Sequence, residues 1–174
     1  MIKLGKQDVL LFQGDSITHG NRVESDWDMN HVLGHGYQFI LAGKIGLDNY
    51  KTCPKIVNRG ISGDTIMKIY ARSDTDVLDV HPTVLSILIG VNDCECAYGG
   101  VDTIPDVDAY ERCYRKLLNK ALAQNGSLKL IICEPFRFMS PRAEEGTVFY
   151  LKNEWCVKYT PEYAAAVRKI ARDY

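Results

Sequence analysis

The sequence predicts a three-layer α/β/α fold built on a parallel sheet. Short, near-continuous apolar runs alternate with stretches of helical spacing, the pattern of strands buried on both faces by crossover helices. Glycine-containing polar turns follow those runs directly or nearly so. In such sheets the chemistry sits beyond the C-terminal ends of the strands.

Residues 9–12 (VLLF) form a first buried strand that stops at Gly14-Asp15. Residues 37–45 (YQFILAGKI) have helical spacing, and Gly46 is the expected stop. A short strand follows at 55–58 (KIVN). Asp64-Thr65 can cap a helix that runs through Ile66, Ile69 and Tyr70. The clearest buried strand is 83–89 (TVLSILI), ending at Gly90. Residues 107–123 read as a long amphipathic helix, with Tyr110, Cys113, Tyr114, Leu117, Leu118 and Ala121 on one face. Residues 127–133 (SLKLIIC) are a fourth strand, and Thr160-Pro161 opens a last helix.

The 174 residues suit a single domain, 1–174, with its own core. At 46% hydrophobic and 25% charged residues the chain has a soluble globular profile. A net charge of −1 offers no basic excess for phosphates, so nucleic-acid binding is not expected. No apolar run approaches the ~20 residues of a membrane helix. The N-terminal apolar run reads as a strand, not a signal peptide, and the expected location is cytoplasmic. Cys53, Cys94, Cys96, Cys113, Cys133 and Cys156 are expected as free thiols in a reducing compartment. The close pair Cys94-Glu95-Cys96 lacks a zinc spacing, so neither metal nor organic cofactor is expected.

The polar turns carry the chemistry. Ser16 lies just after the first strand, where a helix N-terminus favours developing negative charge. Acyl transfer needs a base for such a nucleophile and donors for the tetrahedral oxyanion. Gly63 can offer a backbone N–H, and Asn92 a side-chain amide. Singly, Ser16 reads more readily as a helix cap, Gly63 as a turn and Asn92 as a loop anchor. Together, after consecutive strands, they point to acyl transfer.

At this point Gly14-Asp15-Ser16-Ile17-Thr18 resembles the first block of the SGNH (GDSL-type) serine ester hydrolases. Asn58-Arg59-Gly60-Ile61-Ser62-Gly63-Asp64 resembles the second, and Gly90-Val91-Asn92-Asp93 the third. The resemblance covers nearly the whole chain and implies Ser16 as nucleophile with Gly63 and Asn92 in the oxyanion hole. Three further stretches look like the branch of carbohydrate acetyl esterases: Gly34-His35-Gly36-Tyr37, LSILIGVND (85–93) and Ile132-Cys133-Glu134-Pro135-Phe136. They imply a small ester or an acetylated carbohydrate as substrate, with His35 and Glu134 as substrate-binding residues.

The family's fourth block, Asp-x-x-His, supplies the general base and its orienting carboxylate. Its place falls beyond Tyr174, so the expectation is a C-terminally incomplete domain lacking the last strand and helix. His81, before the third strand, is expected at the opposite end of the sheet from Ser16. A first helical turn aims His19 away from the attack side of Ser16, and His31 and His35 lie on a loop bordering the site. In a flavodoxin-like strand order the fourth strand becomes an exposed apolar edge, which predicts a homodimer. Arg59, Arg137 and Arg142 are candidates for substrate groups, and Trp27 and Trp155 for sugar stacking or for the core. The alternative to an esterase is a catalytically incomplete remnant that binds glycan or self-associates without turnover. A phosphate-binding flavodoxin-like loop is disfavoured, because GDSITHG lacks the P-loop lysine and Asp15 repels phosphate.

Overall fold

The computed structural model describes residues 3–24, 30–98 and 106–174. Among these, β1 (Val9–Gly14), β2 (Lys55–Asn58), β3 (Val84–Leu88) and β4 (Lys129–Cys133) form one sheet in the order β2-β1-β3-β4. Every pairing is parallel. The helices are α1 (Ser16–His19), α2 (Tyr37–Asp48), α3 (Ile66–Ala71), α4 (Val91–Tyr98), α5 (Val107–Gln124) and α6 (Val148–Asp173), with a π-helical turn at Asp74–Leu78.

Side chains alternate across the strands, so each strand feeds two cores. Leu11, Leu85 and Ile87 pack beneath α3, α5 and α6 with Ile66, Ile69, Tyr114, Leu117, Val167 and Ile170. Leu10, Phe12 and Val84 face α2 instead, where they meet Tyr37 and Ile45. Tyr110 is fully buried, and its hydroxyl donates to the Ile89 carbonyl at 2.9 Å, which pins α5 to the end of β3. Register aligns Gly14 with Leu88 and Leu88 with Cys133, while Phe12 lies beside Asn58. The polar turns after β1, β2 and β3 therefore emerge on one rim.

Several boundaries differ from the sequence expectation. α2 does not stop at Gly46 but runs to Asp48, where Asn49 closes it by donating its side-chain amide to the Ile45 carbonyl. Thr160-Pro161 does not open the last helix: α6 starts at Val148 behind Thr147, whose hydroxyl accepts from the Tyr150 N–H, and Pro161 is internal. Pro161 is exposed, so its ring lies on the solvent side. The ~3 kcal/mol cost of an internal proline is offset by burial of Cys156, Tyr163, Val167 and Ile170 on the other face. Asp64-Thr65 caps α3 only by position, because the first helical N–H, on Ile66, is taken by the Asp93 carboxylate. Gly90-Val91-Asn92-Asp93 itself leads into helix α4. β4 pairs only with β3 among the described strands, and Ile131 is 38% exposed. No described helix is long and apolar enough to cross a membrane.

Candidate active site

β1 runs into α1 with almost no connecting chain. A Cβ at Gly14 would lie 2.3 Å from the Leu88 carbonyl oxygen, so only glycine lets the end of β1 pass so close to β3. Asp15 then caps α1, its carboxylate accepting from the Ile17 N–H at 2.9 Å. This leaves Ser16 exposed as the first residue of the helix.

The second turn packs onto the first. Asn58 is buried and donates to the Thr18 carbonyl at 2.7 Å, and Ile61 N–H donates to the Gly14 carbonyl at 3.1 Å. Gly63 has φ +80°, a conformation that L side chains rarely adopt, and no heavy atom lies within 4 Å of where its Cβ would stand. That side of Gly63 is open. From the third turn, the Asn92 amide donates to the Asp64 carbonyl at 2.9 Å. An amide nitrogen carries a second hydrogen, which that bond does not use. Ser16, Gly63 and Asn92 thus sit on turns that are hydrogen-bonded to one another. Mutual contact, rather than chain proximity, sets their arrangement.

Two buried carboxyls lie beneath these turns. Asp93 is fully buried, accepting from Ile66 N–H; burial, with Asp15 and Asp64 adding repulsion, pushes its carboxyl up to about 7. Burial likewise raises Asp15 to about 6, opposed by the bond from Ile17. Both carboxyls are thus partly protonated near neutral pH. In the unfolded chain both groups titrate near 3.9. Between about pH 4 and pH 7 the folded state therefore binds more protons than the unfolded state, and these groups lower stability as pH rises. Melting temperatures across that window should fall toward neutral pH. The fall should be shallower in Asp93→Asn, and an equal slope in both proteins would contradict the assignment.

The histidines divide. His81 has φ +51° in the turn before β3, at the far end of the sheet. His31 and His35 are exposed with ring centroids 5.8 Å apart, and the His35 N–H donates to the Gly20 carbonyl, which seats that loop against the end of α1. His19 points to the second turn: its Nδ1 is 3.0 Å from Ser62 Oγ. Nε2 of His19 lies 3.4 Å from Glu24 Oε1, an ion-pair distance without hydrogen-bond geometry.

Other sequence candidates are engaged elsewhere. Glu134 pairs with Arg168 of α6 at 2.5 Å and helps line a cavity of about 240 Å³ with Pro135, Phe136 and Thr160. Arg137 donates to Asn153 at 2.6 Å and pairs with Glu95, while Arg59 lines a cavity of about 360 Å³ near Arg22 and Lys55. The Arg142 N–H donates to Ser140 Oγ in an exposed turn. Trp155 packs between Tyr159, at 4.1 Å between centroids, and Tyr98, at 5.6 Å, which makes it part of the α4–α6 packing. Trp27 lies outside the described residues. Sequence reasoning missed Ser62, Arg72 and the buried role of Asp93. Only Ser62 and Asp93 had a signal, as members of the second and third blocks.

A family model described as GDSL-like lipase/acylhydrolase matches residues 12–174. Acetylxylan esterase of Geobacillus stearothermophilus is 37% identical over 93 residues, which is 53% of this chain and 42% of that enzyme. The match spans less than half of that relative's length. Among solved structures, one titled as a GDSL-like lipase from Parabacteroides merdae has a TM-score of 0.78 at 33% identity, covering 99% of this chain and 76% of that one. The structure of the G. stearothermophilus acetylxylan esterase gives 0.75 at 26% identity, covering 99% and 75%. Structures of that esterase include catalytic mutants in which a serine, an aspartate and a histidine are each replaced by alanine.

Proposed function

The chain belongs to the GDSL-like lipase/acylhydrolase family, and from that premise we propose that it hydrolyses carboxylic esters through an acyl-Ser16 intermediate. The observation that carries the reading is the rim itself, where Asn92 bonds to the turn that bears Gly63 and that turn bonds to the one preceding Ser16. In this reading Ser16 Oγ attacks the ester carbonyl. The N–H groups of Ser16 and Gly63 and the amide of Asn92 receive the oxyanion. The catalytic mutants of the related esterase support a histidine oriented by an aspartate as the base in this chemistry. His19 is engaged with Ser62 and Glu24, and His81 lies at the far end of β3. The substrate class is an O-acetylated carbohydrate, supported by the likeness to the acetylxylan esterase. His35 borders the site from the loop against α1, and we assign it to substrate binding. We give the same role to Glu134 just after β4, which would meet substrate together with its ion-pair partner Arg168.

The test is hydrolysis of a small activated acetyl ester and of acetylated xylo-oligosaccharides by the chain and by its Ser16→Ala variant. Loss of at least ~10³-fold in the variant is expected for a nucleophile. Sugar binding with turnover indifferent to the change would favour a non-catalytic glycan binder.

We further propose that the outer edge of β4, unpaired among the described strands, mediates self-association through a strand that includes the apolar Leu130 and Ile131. Ile131→Lys should shift the chain toward monomer in light scattering at high concentration. A wild-type monomer at the same concentration would remove this proposal.

A further inference from the structure

Beside Ser16 lies a second arrangement of nucleophile type that the Ser16 reading does not use. Ser62 is exposed, and its Oγ stands 3.0 Å from His19 Nδ1. The other ring nitrogen, Nε2, is buried and has the Glu24 carboxylate 3.4 Å away. An acceptor at Nε2 favours the tautomer protonated there, which leaves the Nδ1 lone pair facing the Ser62 hydroxyl. This is the logic of a serine–histidine–acid triad with the ring nitrogens exchanged. At 3.4 Å, without hydrogen-bond geometry, Glu24 acts on the ring as a nearby negative charge that favours the imidazolium formed when His19 takes the proton.

The alignment does not depend on the Ser62–His19 bond alone. Asn58 ties the two segments together by donating to the carbonyls of Thr18 and His19, at 2.7 Å and 3.3 Å. Arg22 is buried and donates from Nε to the Gly60 carbonyl at 3.0 Å. The residue after Ser62 is Gly63, whose outer side is open. The N–H following a nucleophile is a recurrent oxyanion donor.

We propose that Ser62 and His19, oriented by Glu24, form a second nucleophile–base pair that takes acyl groups from small carboxylic esters. The Ser62 oxygen bonds to the ester carbonyl carbon as its proton passes to His19 Nδ1. Collapse breaks the carbon–oxygen bond to the leaving alcohol, which carries that proton away. Water then adds to acyl-Ser62, giving a proton to His19, and Ser62 recovers a proton as the carboxylic acid leaves. The sum is ester plus water to acid plus alcohol. This chemistry shares the Gly63 N–H with the Ser16 reading but draws its nucleophile, base and acid from Ser62, His19 and Glu24.

The test is brief exposure to 4-nitrophenyl acetate, acid quenching, and mapping of the acetyl group after cleavage at lysine and arginine. Ser16 then falls on peptide 7–22 and Ser62 on peptide 60–68. Acetyl on Ser62 is expected in the wild type and in Ser16→Ala, reduced roughly 10²-fold in His19→Gln and several-fold in Glu24→Gln. Ser62→Ala should show no acetyl on that peptide. Acetyl on Ser16 alone, or on neither serine, overturns this proposal, while the Ser16 reading is judged separately by the Ser16→Ala comparison. Ser62 acetylation undiminished in His19→Gln also overturns it, because the hydroxyl then reacts without its base. Ser62 and Glu24 lie at the surface, so Ser62→Ala and Glu24→Gln keep the test decisive even where His19→Gln folds poorly.

Discussion

Asn92→Ala should lower kcat for acetyl-ester hydrolysis by roughly 10²–10³-fold while leaving KM within a few-fold. The expected split follows from where the amide acts. A donor aimed at the oxyanion is strained or idle against the planar ester and engaged only when the carbonyl carbon becomes tetrahedral. Its loss therefore appears in kcat. Asn92 has a second task in the fold, because its amide also donates to the Asp64 carbonyl at 2.9 Å. Losing that bond alone costs about 1 kcal/mol of stability, far short of the catalytic loss, and a melting curve measures it separately. Asn92→Asp sharpens the test. It preserves shape but substitutes an acceptor that carries negative charge, so activity should fall at least as far. The ratio to wild type holds whichever base deprotonates Ser16, since oxyanion stabilisation is a separate contribution. A tenfold or smaller loss in both variants would remove Asn92 from the oxyanion hole.

Strands and site turns were legible in the sequence because each depends on local pattern. Residues 84–88 are an unbroken buried run between turn signals, and the glycines that follow the strands mark backbone no other residue fits as easily, as the 2.3 Å approach at Gly14 shows. The origin of α6 was not legible. Pro161 advertises a helix start, and only the buried face formed by Asn153, Cys156, Thr160 and Tyr163 across the proline shows that one helix continues through it. Gly46 misled for the same reason: a local stop signal yielded to the Asn49 cap and to the seat of Ile45 against the sheet. Within the candidate site, the turns were legible and the contacts between them were not. The second block contained Ser62, but nothing in its spacing revealed that the chain folds it onto His19. Long-range pairs of this kind leave no periodic trace.

The largest stability loss should come from Arg72→Met, a residue no motif contains. Arg72 joins the end of β1, the turn bearing Gly63 and the π-helical turn. Its Nε donates to Asp64 at 2.8 Å, Nη1 to Asp76 at 2.5 Å and Nη2 to Gln13 at 3.0 Å. Gln13 is fully buried and returns a bond from its amide to the Asp76 carbonyl at 3.1 Å, so β1, the turn bearing Gly63 and the π-helical turn close into one network. The Arg72 side chain is 17% exposed and that of Asp64 only 7%, so the pair is shielded from water. Methionine fills similar volume but leaves the Asp64 carboxylate without its counter-charge. Breaking a buried pair in this way costs about 3 kcal/mol or more, which for a chain of this size lowers the melting temperature by roughly 6–12 °C. Arg72→Lys keeps the charge but cannot span three acceptors with a planar fork, so an intermediate loss is expected. Adding Asp64→Asn to Arg72→Met should restore part of the stability, because the orphaned charge is gone. Restoration also separates two effects on the site. If activity stays low after stability returns, Arg72 holds the Gly63 turn in its working position. A shift in melting temperature below about 1 °C in Arg72→Met would show that the network contributes nothing, and the turns would then rest on the Asn58 and Asn92 bonds alone.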